Sequence, residues 1–139
     1  MSFLLDTNVV SEWTKPSPNG GVITWLNEAD EDRVFLSVAT LAELRRGVER
    51  LAPGARRRKL DSWLREELPL RFESRVLAVT ADVADEWGRV TARCEAGGRP
   101  LAAMDGLIAS TAIVHSLTLV TRNTSDFEPA LKALLNPWG

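Results

Sequence analysis

The stretch MSFLLDTNVVSEW, residues 1–13, opens the chain and carries the first sign of its fold. Residues 3–5 are typical of a short buried strand. Asp6, Thr7 and Asn8 then interrupt the apolar run with three polar side chains. A turn is one explanation, because Asp and Asn side chains bond nearby backbone N–H groups. The rest of the sequence must decide whether the carboxylate is there for more than a turn.

Three further apolar segments are predicted to be strands. They are RVFLSV at 33–38, SRVLAV at 74–79 and LTLVT at 117–121. Helical patterns separate the strands, which predicts a parallel sheet with helices on both faces. Sites in such sheets form at the carboxyl ends of the strands. Asp6, Thr121 and Asn123 all lie at such ends.

The segments between and after the strands are predicted to be helical. They are 8–15, 20–33, 39–51, 55–68, 80–100, 102–116 and 125–135. The acidic residues 28–32 are expected to form a solvated loop at the end of their helix. Pro69 is expected to end the helix before it, because proline lacks the backbone N–H that a helix needs.

Length and composition fit a single domain over residues 1–139. No apolar run reaches the roughly 18 residues of a membrane span, and no signal peptide is predicted. One cysteine, Cys94, excludes an internal disulfide. A reduced, cytoplasmic location is expected.

Four acidic residues each have a structural explanation. Asp6 suits a turn, and Glu43 suits a capping box with Thr40. Asp105 would complement a helix dipole, and Asp126 would cap the last helix. These explanations do not account for the placement of all four near the same edge of one sheet. Carboxylates gathered there would need a cation, and oxygen ligands suit Mg²⁺ or Mn²⁺. Such a site supports metal-assisted hydrolysis of a phosphate ester.

Several enzyme classes are excluded by motifs that the chain lacks. It has neither the G-x-x-x-x-G-K-[ST] loop of P-loop NTPases nor the G-x-S-x-G elbow of serine hydrolases. It has no Cys/His cluster for zinc. Its single histidine, His115, lies near a predicted helix end, where packing explains it.

Four blocks resemble the motifs of the PIN-domain family, most closely its VapC-type toxins and their FitB-like group. They are LLDTNVVSEW, SVATLAELRRG, AGGRPLAAMDGLIASTA and LVTRNTSDFE, in family order and over nearly the whole chain. The resemblance implies a three-layer α/β/α sandwich with a short, mostly parallel central sheet. It implies a Mg²⁺- or Mn²⁺-dependent ribonuclease toxin of a type II system, a homodimer that an adjacently encoded antitoxin silences. DNA would be reached only through the antitoxin, and no membrane is involved.

The resemblance also implies site residues. By this resemblance the first three family acids correspond to Asp6, Glu43 and Asp105. They would be catalytic residues and metal ligands. The fourth acid falls at Asn123 or at Asp126; if at Asn123, Asp126 must supply the charge. The polar family residues that orient the acids or a bound water correspond to Asn8 and Thr121.

A basic segment, residues 45–71, carries nine basic and four acidic residues in a chain of net charge −2. An anionic partner is one interpretation, and a solvated helix surface is another. Beside apolar helix residues, the cluster could contact an acidic antitoxin segment or RNA. The candidate contact residues are Arg45, Arg46, Arg56, Arg57 and Arg58.

Two other functions remain open at this stage. A haloacid-dehalogenase-like phosphatase would use Asp6 as nucleophile, but it needs a second Asp where this chain has Asn8. A catalytically silent module would only bind RNA or protein, although such a module gains nothing from clustered like charges.

Overall fold

The computed structural model describes residues 1–139, which build one five-stranded sheet between two layers of helices. The strands are β1 (Phe3–Leu5), β2 (Val34–Ser37), β3 (Val76–Leu77), β4 (Thr118–Val120) and β5 (Leu134–Leu135). Their order is β3-β2-β1-β4-β5, and every neighbouring pair is parallel. The predicted α/β/α sandwich is confirmed, with a sheet that is parallel throughout.

Eight α-helices flank the sheet. They are α1 (Thr7–Ser11), α2 (Gly20–Glu28), α3 (Val38–Glu49), α4 (Ala55–Ser62), α5 (Leu68–Phe72), α6 (Ala81–Ala96), α7 (Ala103–Val114) and α8 (Thr124–Phe127). Short 3₁₀ turns occupy Glu12–Thr14, Glu31–Arg33 and Glu73–Arg75. The second of these turns lies partly within the expected acidic loop. No helix combines the length and the apolar character needed to cross a membrane.

Adjacent residues of the central strand supply the cores on opposite faces of the sheet. Leu5 packs in a core with residues of α1, α2 and α5, whereas Leu4 packs in a second core with residues of α6 and α7. Both leucines are fully buried. Side chains alternate across a strand, so a strand covered on both faces reads as a continuous apolar run.

The prediction of a helix over 125–135 is wrong for most of that segment. α8 ends at Phe127, and Leu134 and Leu135 form β5 beside Leu119 and Val120 of β4. Pro129 has no backbone N–H, so it cannot donate the hydrogen bond that would continue the helix. A short apolar doublet has no helical or strand period of its own, and pairing with the free edge of β4 decides its state.

The expected helix end at Pro69 is also wrong. A π-helical turn, Trp63–Glu67, joins α4 to α5, and the helical path continues to Phe72. The N–H of Leu68 bonds the carbonyl of Trp63, five residues back. The wider turn directly precedes the proline, which cannot donate a helical hydrogen bond. The path ends at Glu73, where φ is +47°.

The start of α2 is closed by the segment after β5. Asn19 caps the helix, and its Oδ1 accepts hydrogen bonds from the N–H groups of Val22 at 3.1 Å and Gly139 at 3.3 Å. A Cβ added at Gly21 would lie 2.6 Å from the carbonyl oxygen of Pro137. A glycine is therefore required at this position for the two segments to pack.

Alanine substitutions at the two adjacent glycines test this packing. Gly21→Ala should lower the free energy of unfolding by about 1–3 kcal/mol, because a backbone segment must move away. Gly20→Ala is the matched control, since a Cβ there meets nothing within 4 Å. The control should be neutral or stabilising by up to about 1 kcal/mol. Urea unfolding of both variants measures the difference, and equal destabilisation would contradict the packing.

Candidate active site at the carboxyl edge of the sheet

Asp6 lies at the centre of the site, at the carboxyl end of β1, and is only 5% exposed. Its N–H donates to the carbonyl of Val120 at 2.9 Å, which extends the pairing of β1 with β4. Its carboxylate accepts from the N–H of Thr7 and from the hydroxyl of Thr121, each at 2.7 Å. The predicted turn role is therefore present, because Asp6 caps α1. The bond to Thr121, 115 residues away, goes beyond a turn.

Glu43 reaches the end of β1 from α3. Its carboxylate accepts a 2.6 Å hydrogen bond from the hydroxyl of Thr7. The capping-box explanation for Glu43 is wrong, because α3 begins earlier and its N-cap is Ser37, whose hydroxyl accepts from the N–H of Ala39. Thr40 lies inside the helix, with its hydroxyl 3.2 Å from that of Thr7. Glu43 is thus held toward the end of β1 and not toward a helix terminus.

Asp105 enters the site from the first turn of α7 and is half-buried. Burial, with the negative charges of Asp6, Glu43 and Asp126, raises the pKa of Asp105 to about 6. A carboxylate responds in this way when its charged form loses water and faces like charges. The four acidic residues predicted from the sequence therefore share one electrostatic environment.

The buried carboxylate of Asp6 is under opposing influences. Desolvation raises its pKa above the usual value, and the hydrogen bonds from Thr121 and Thr7 partly offset that effect. The negative charge of Glu43 raises the pKa further. The two threonines therefore stabilise an ionised group in a place where burial disfavours it.

Asp126 is the fourth acidic residue, and its charge reaches Asp105. α8 begins at Thr124, so Asp126 lies within the first turn and is not the predicted cap. Its charge acts on Asp105, and both carboxylates line one recess. Asn123 makes a backbone contact, its N–H donating to the Thr121 hydroxyl at 3.0 Å.

Asn8 ties the start of α1 to the loop after β4. Its side-chain oxygen accepts from the N–H of Arg122 at 3.4 Å. Thr121 contacts the Asp6 carboxylate directly, whereas Asn8 contacts the backbone of the loop after β4. The supporting role of Asn8 toward the acids stays a prediction.

Thr7 is the residue that the sequence-based set of site residues omits. Its N–H donates to Asp6 and its hydroxyl donates to Glu43, so Thr7 links the first two acids. Its position directly after Asp6 is the available sequence signal.

Close helix packing positions Asp105. A Cβ at the next residue, Gly106, would lie 2.8 Å from the indole nitrogen of Trp87 in α6. That indole nitrogen donates to the carbonyl of Ala103 at 3.2 Å. The absence of a side chain at Gly106 therefore lets α6 approach the first turn of α7, which carries Asp105.

The donor chemistry of the site suits a hard divalent cation, because every candidate ligand is a carboxylate oxygen. The shared negative charge is also of the kind that a bound cation relieves. No three acidic, His or Cys side chains converge closely enough to form a ready-made cation site. The charges of the other three acids act on Asp105, but the carboxylates do not meet at one point.

The predicted basic cluster divides into two parts. Arg45 pairs with Asp61 at 2.7 Å, and Arg57 pairs with Glu49 at 2.6 Å. The charges of both arginines are therefore balanced by acidic residues of the same chain. Arg56 and Arg58 instead line a groove of about 640 Å³. The other lining residues include Trp13, Lys15, Lys59, Leu60 and Trp63, and none of the four acids. Arg46 is exposed on α3, outside the groove.

The fold and this edge define an α/β protein with an acidic site built from oxygen donors. The chain belongs to the PIN domain family, because the family's sequence profile matches residues 3–129. The resemblance seen in the four sequence blocks is thereby confirmed. The match also removes the phosphatase alternative, which belongs to another fold family.

Known proteins are similar along nearly the whole chain. Toxin FitB of Neisseria gonorrhoeae is 41% identical over 135 residues, which cover 97% of each protein. VapC ribonuclease Y4jK of Sinorhizobium fredii is 35% identical over 135 residues, covering 97% of this chain and 96% of that protein. The solved structure of FitAB bound to an IR36 DNA fragment has a TM-score of 0.92 at 38% identity, covering 99% of this chain and 96% of that one.

The raised pKa of Asp105 predicts a pH-dependent effect of Asp105→Asn on stability. The folded state binds this proton more tightly than the unfolded chain, so the contribution of Asp105 is greatest below about pH 4 and is lost as pH rises through about 6. Asp105→Asn should therefore melt a few degrees above the parent at about pH 8, with a smaller gain at about pH 4.5.

Thermal melts in chelator measure this effect. Asp82→Asn is the matched control, because Asp82 occupies the first turn of α6 and is exposed. It should show no gain, since a helix N-terminus favours a negative charge. If both variants respond alike to pH, the carboxylates do not form one charged cluster.

Proposed function

We propose that this chain is the ribonuclease toxin of a type II toxin–antitoxin system and that it hydrolyses RNA phosphodiester bonds. The observation that carries the proposal is the shared charge of four carboxylates, the buried Asp6 among them, at the sheet edge. Similarity to proteins named as a toxin and as a ribonuclease supports the substrate class. The alternative of a silent binding module is not favoured, because mutual repulsion is a cost that binding alone does not explain.

The proposed cofactor is Mg²⁺ or Mn²⁺. Asp6 and Asp105 would hold the ion, and Glu43 and Asp126 would complete its surroundings. When bound, the ion would neutralise charge on the phosphate and lower the pKa of a nucleophilic water. The all-oxygen donor set and the raised pKa values of Asp6 and Asp105 support this assignment.

The chain's own residues prepare the site for that chemistry. Thr121 and the N–H of Thr7 each hold one oxygen of Asp6, which fixes the plane of the carboxylate. The Thr7 hydroxyl holds one oxygen of Glu43, so the other oxygen can accept a proton from the attacking water. The water oxygen would bond to phosphorus, the phosphorus bond to the 3′-oxygen would break, and the departing 3′-oxygen would take up a proton from solvent while Glu43 returns its proton to solvent. The products carry 5′-phosphate and 3′-hydroxyl ends.

Neutralising either principal ligand tests the catalytic assignment. Asp6→Asn and Asp105→Asn should each reduce RNA cleavage by at least about a thousandfold, because an amide cannot supply the charge that holds the ion. Circular dichroism should show an intact fold. Cleavage of a labelled RNA in Mg²⁺, Mn²⁺ and excess chelator measures the effect.

The exposed Asp82 again supplies the control, and Asp82→Asn should cleave at the parent rate. Undiminished cleavage by purified Asp6→Asn protein, or full parent activity in chelator, would refute the proposed metal chemistry.

The basic groove is the proposed contact site for the antitoxin. Its apolar surfaces, Trp13, Leu60 and Trp63, are suited to bury one face of a helical segment. Arg56 and Arg58 at its rim would attract acidic side chains of that segment. None of the four site acids lines the groove, which separates partner binding from the carboxylates. A homodimer, and DNA contact only through the antitoxin, remain predictions.

Charge reversal at the rim tests the groove. Arg56→Glu with Arg58→Glu should weaken binding of an antitoxin encoded beside this gene by about 10- to 100-fold, because two attractive contacts become repulsive. Arg46→Glu with Arg50→Glu makes the same charge change at exposed positions on α3 and directly after it, outside the groove, and should have little effect. Calorimetry measures both affinities. Equal losses would mean general charge attraction, and weakening of RNA binding alone would assign the groove to RNA.

A further inference from the structure

A recess of about 330 Å³ opens beside the carboxylate site, between the loop that precedes α7 and the first turn of α8. Its lining residues are Arg99, Pro100, Leu101, Ala102, Asp105 and Asp126. It thus contains two of the four site acids. Arg99 is its only basic residue, and neither the metal proposal nor the predicted basic cluster involves it.

Arg99 is placed by the way in which α6 ends. The N–H of Arg99 bonds the carbonyl of Cys94 at 2.9 Å, and the N–H of Gly98 bonds that of Glu95 at 3.0 Å. Gly98 has φ +76°, so these bonds complete a Schellman motif that needs glycine at this point. Pro100 then prevents the helix from continuing. The local sequence CEAGGRP therefore directs Arg99 to the point where the chain turns toward α7.

The guanidinium of Arg99 reaches across to α8. Its Nη2 donates to the carbonyl of Ser125 at 2.6 Å, one residue before Asp126. Arg99 forms no ion pair with any acidic side chain of the protein, although two carboxylates share its recess. Arginine has five N–H donors in a planar fork, and this carbonyl occupies only one nitrogen. The side chain is therefore anchored and still has donors to offer.

The other arginines near this end of the chain are committed elsewhere. The guanidinium of Arg122 lies 5.5 Å from the ring centroid of Trp138. Arg93 donates to the carbonyl of Ala130 and lines a separate recess with Ser116 and Thr118, at the amino end of β4. Arg99 is the basic residue that lines the recess together with Asp105 and Asp126.

We propose that this recess binds a backbone phosphate of RNA next to the scissile phosphodiester, with Arg99 as the contacting residue. The inference rests on the proposed ribonuclease function. The site acids repel each phosphate that a bound cation does not neutralise, so the neighbouring phosphate needs a positive group of its own. The fork of arginine matches the oxygens of a phosphate. Arg99 thereby sets where the RNA backbone lies relative to the carboxylates.

A substrate with a neutral linkage tests the contact directly. Labelled RNA is prepared with a methylphosphonate at each position flanking the cleaved bond, one at a time. In the parent, one such linkage should raise KM by about tenfold with little change in kcat, because a charge-assisted contact is lost. In Arg99→Ala, the all-phosphate RNA should show the same rise, and the neutral linkage should have no further effect.

Equilibrium binding gives a second measurement that does not need catalysis. In the Asp6→Asn background, fluorescence anisotropy of labelled single-stranded RNA yields the slope of log affinity against log salt. Arg99→Ala should reduce that slope by about 0.7, the contribution of one phosphate contact on a single strand. Arg93→Ala is the matched control and should leave it unchanged. Gly98→Ala, which keeps the charge but strains the turn, should weaken binding like Arg99→Ala.

The outcomes separate this inference from the proposed function. If the parent cleaves RNA but Arg99→Ala keeps the parent's salt slope and its sensitivity to every neutral linkage, the phosphate contact is refuted and the ribonuclease proposal stands. If the parent does not cleave RNA but only Arg99→Ala reduces the salt slope of RNA binding, the phosphate contact stands and the catalytic proposal fails. If Arg93→Ala and Arg99→Ala reduce the salt slope equally, the effect is one of general positive charge, and the phosphate site in the recess is refuted.

Discussion

The site depends on a buried carboxylate at the carboxyl end of the central strand. Asp6 is almost fully buried, which disfavours its charged form, and hydrogen bonds from Thr7 and Thr121 oppose that effect. Thr121 can donate only because β4 lies parallel to β1 and ends at the same level. The parallel sheet is thus a condition of the site and not only its support. The same edge brings Glu43 and Asp105 close enough for their charges to interact.

The arrangement trades stability for chemistry. Like charges in a partly buried pocket raise the pKa of Asp105 to about 6, a sign that the folded state would be more stable with fewer of them. The two apolar cores on either face of the sheet, which need no polar groups, offset this strain. Natural proteins commonly concentrate such conflicts at functional sites. The close approach of Trp87 to Gly106 holds α7 in place against the repulsion.

Charge is organised locally in a chain whose net charge is only −2. Carboxylates gather at one edge of the sheet, while Arg56 and Arg58 line a separate groove with tryptophans. Several other arginines are neutralised by acidic neighbours, as in the pairs of Arg45 and Arg57 with residues of α3 and α4. The number of basic residues in the sequence therefore overstates the positively charged surface that is available to a partner. A single anchored arginine beside the acids can matter more than several paired ones.

The sequence by itself determined the sandwich, four of the five strands, and the placement of Asp6, Glu43, Asp105 and Asp126 around one edge. These followed from short apolar runs, helix periods and the rule that parallel strands end together. The tertiary structure alone decided that the last apolar doublet is a strand, that the helical path continues past Pro69 after a π turn, and that Glu43 is not a cap. It also decided which arginines are free. Those outcomes depend on contacts between segments far apart in the chain, and a local pattern carries no information about its distant partners.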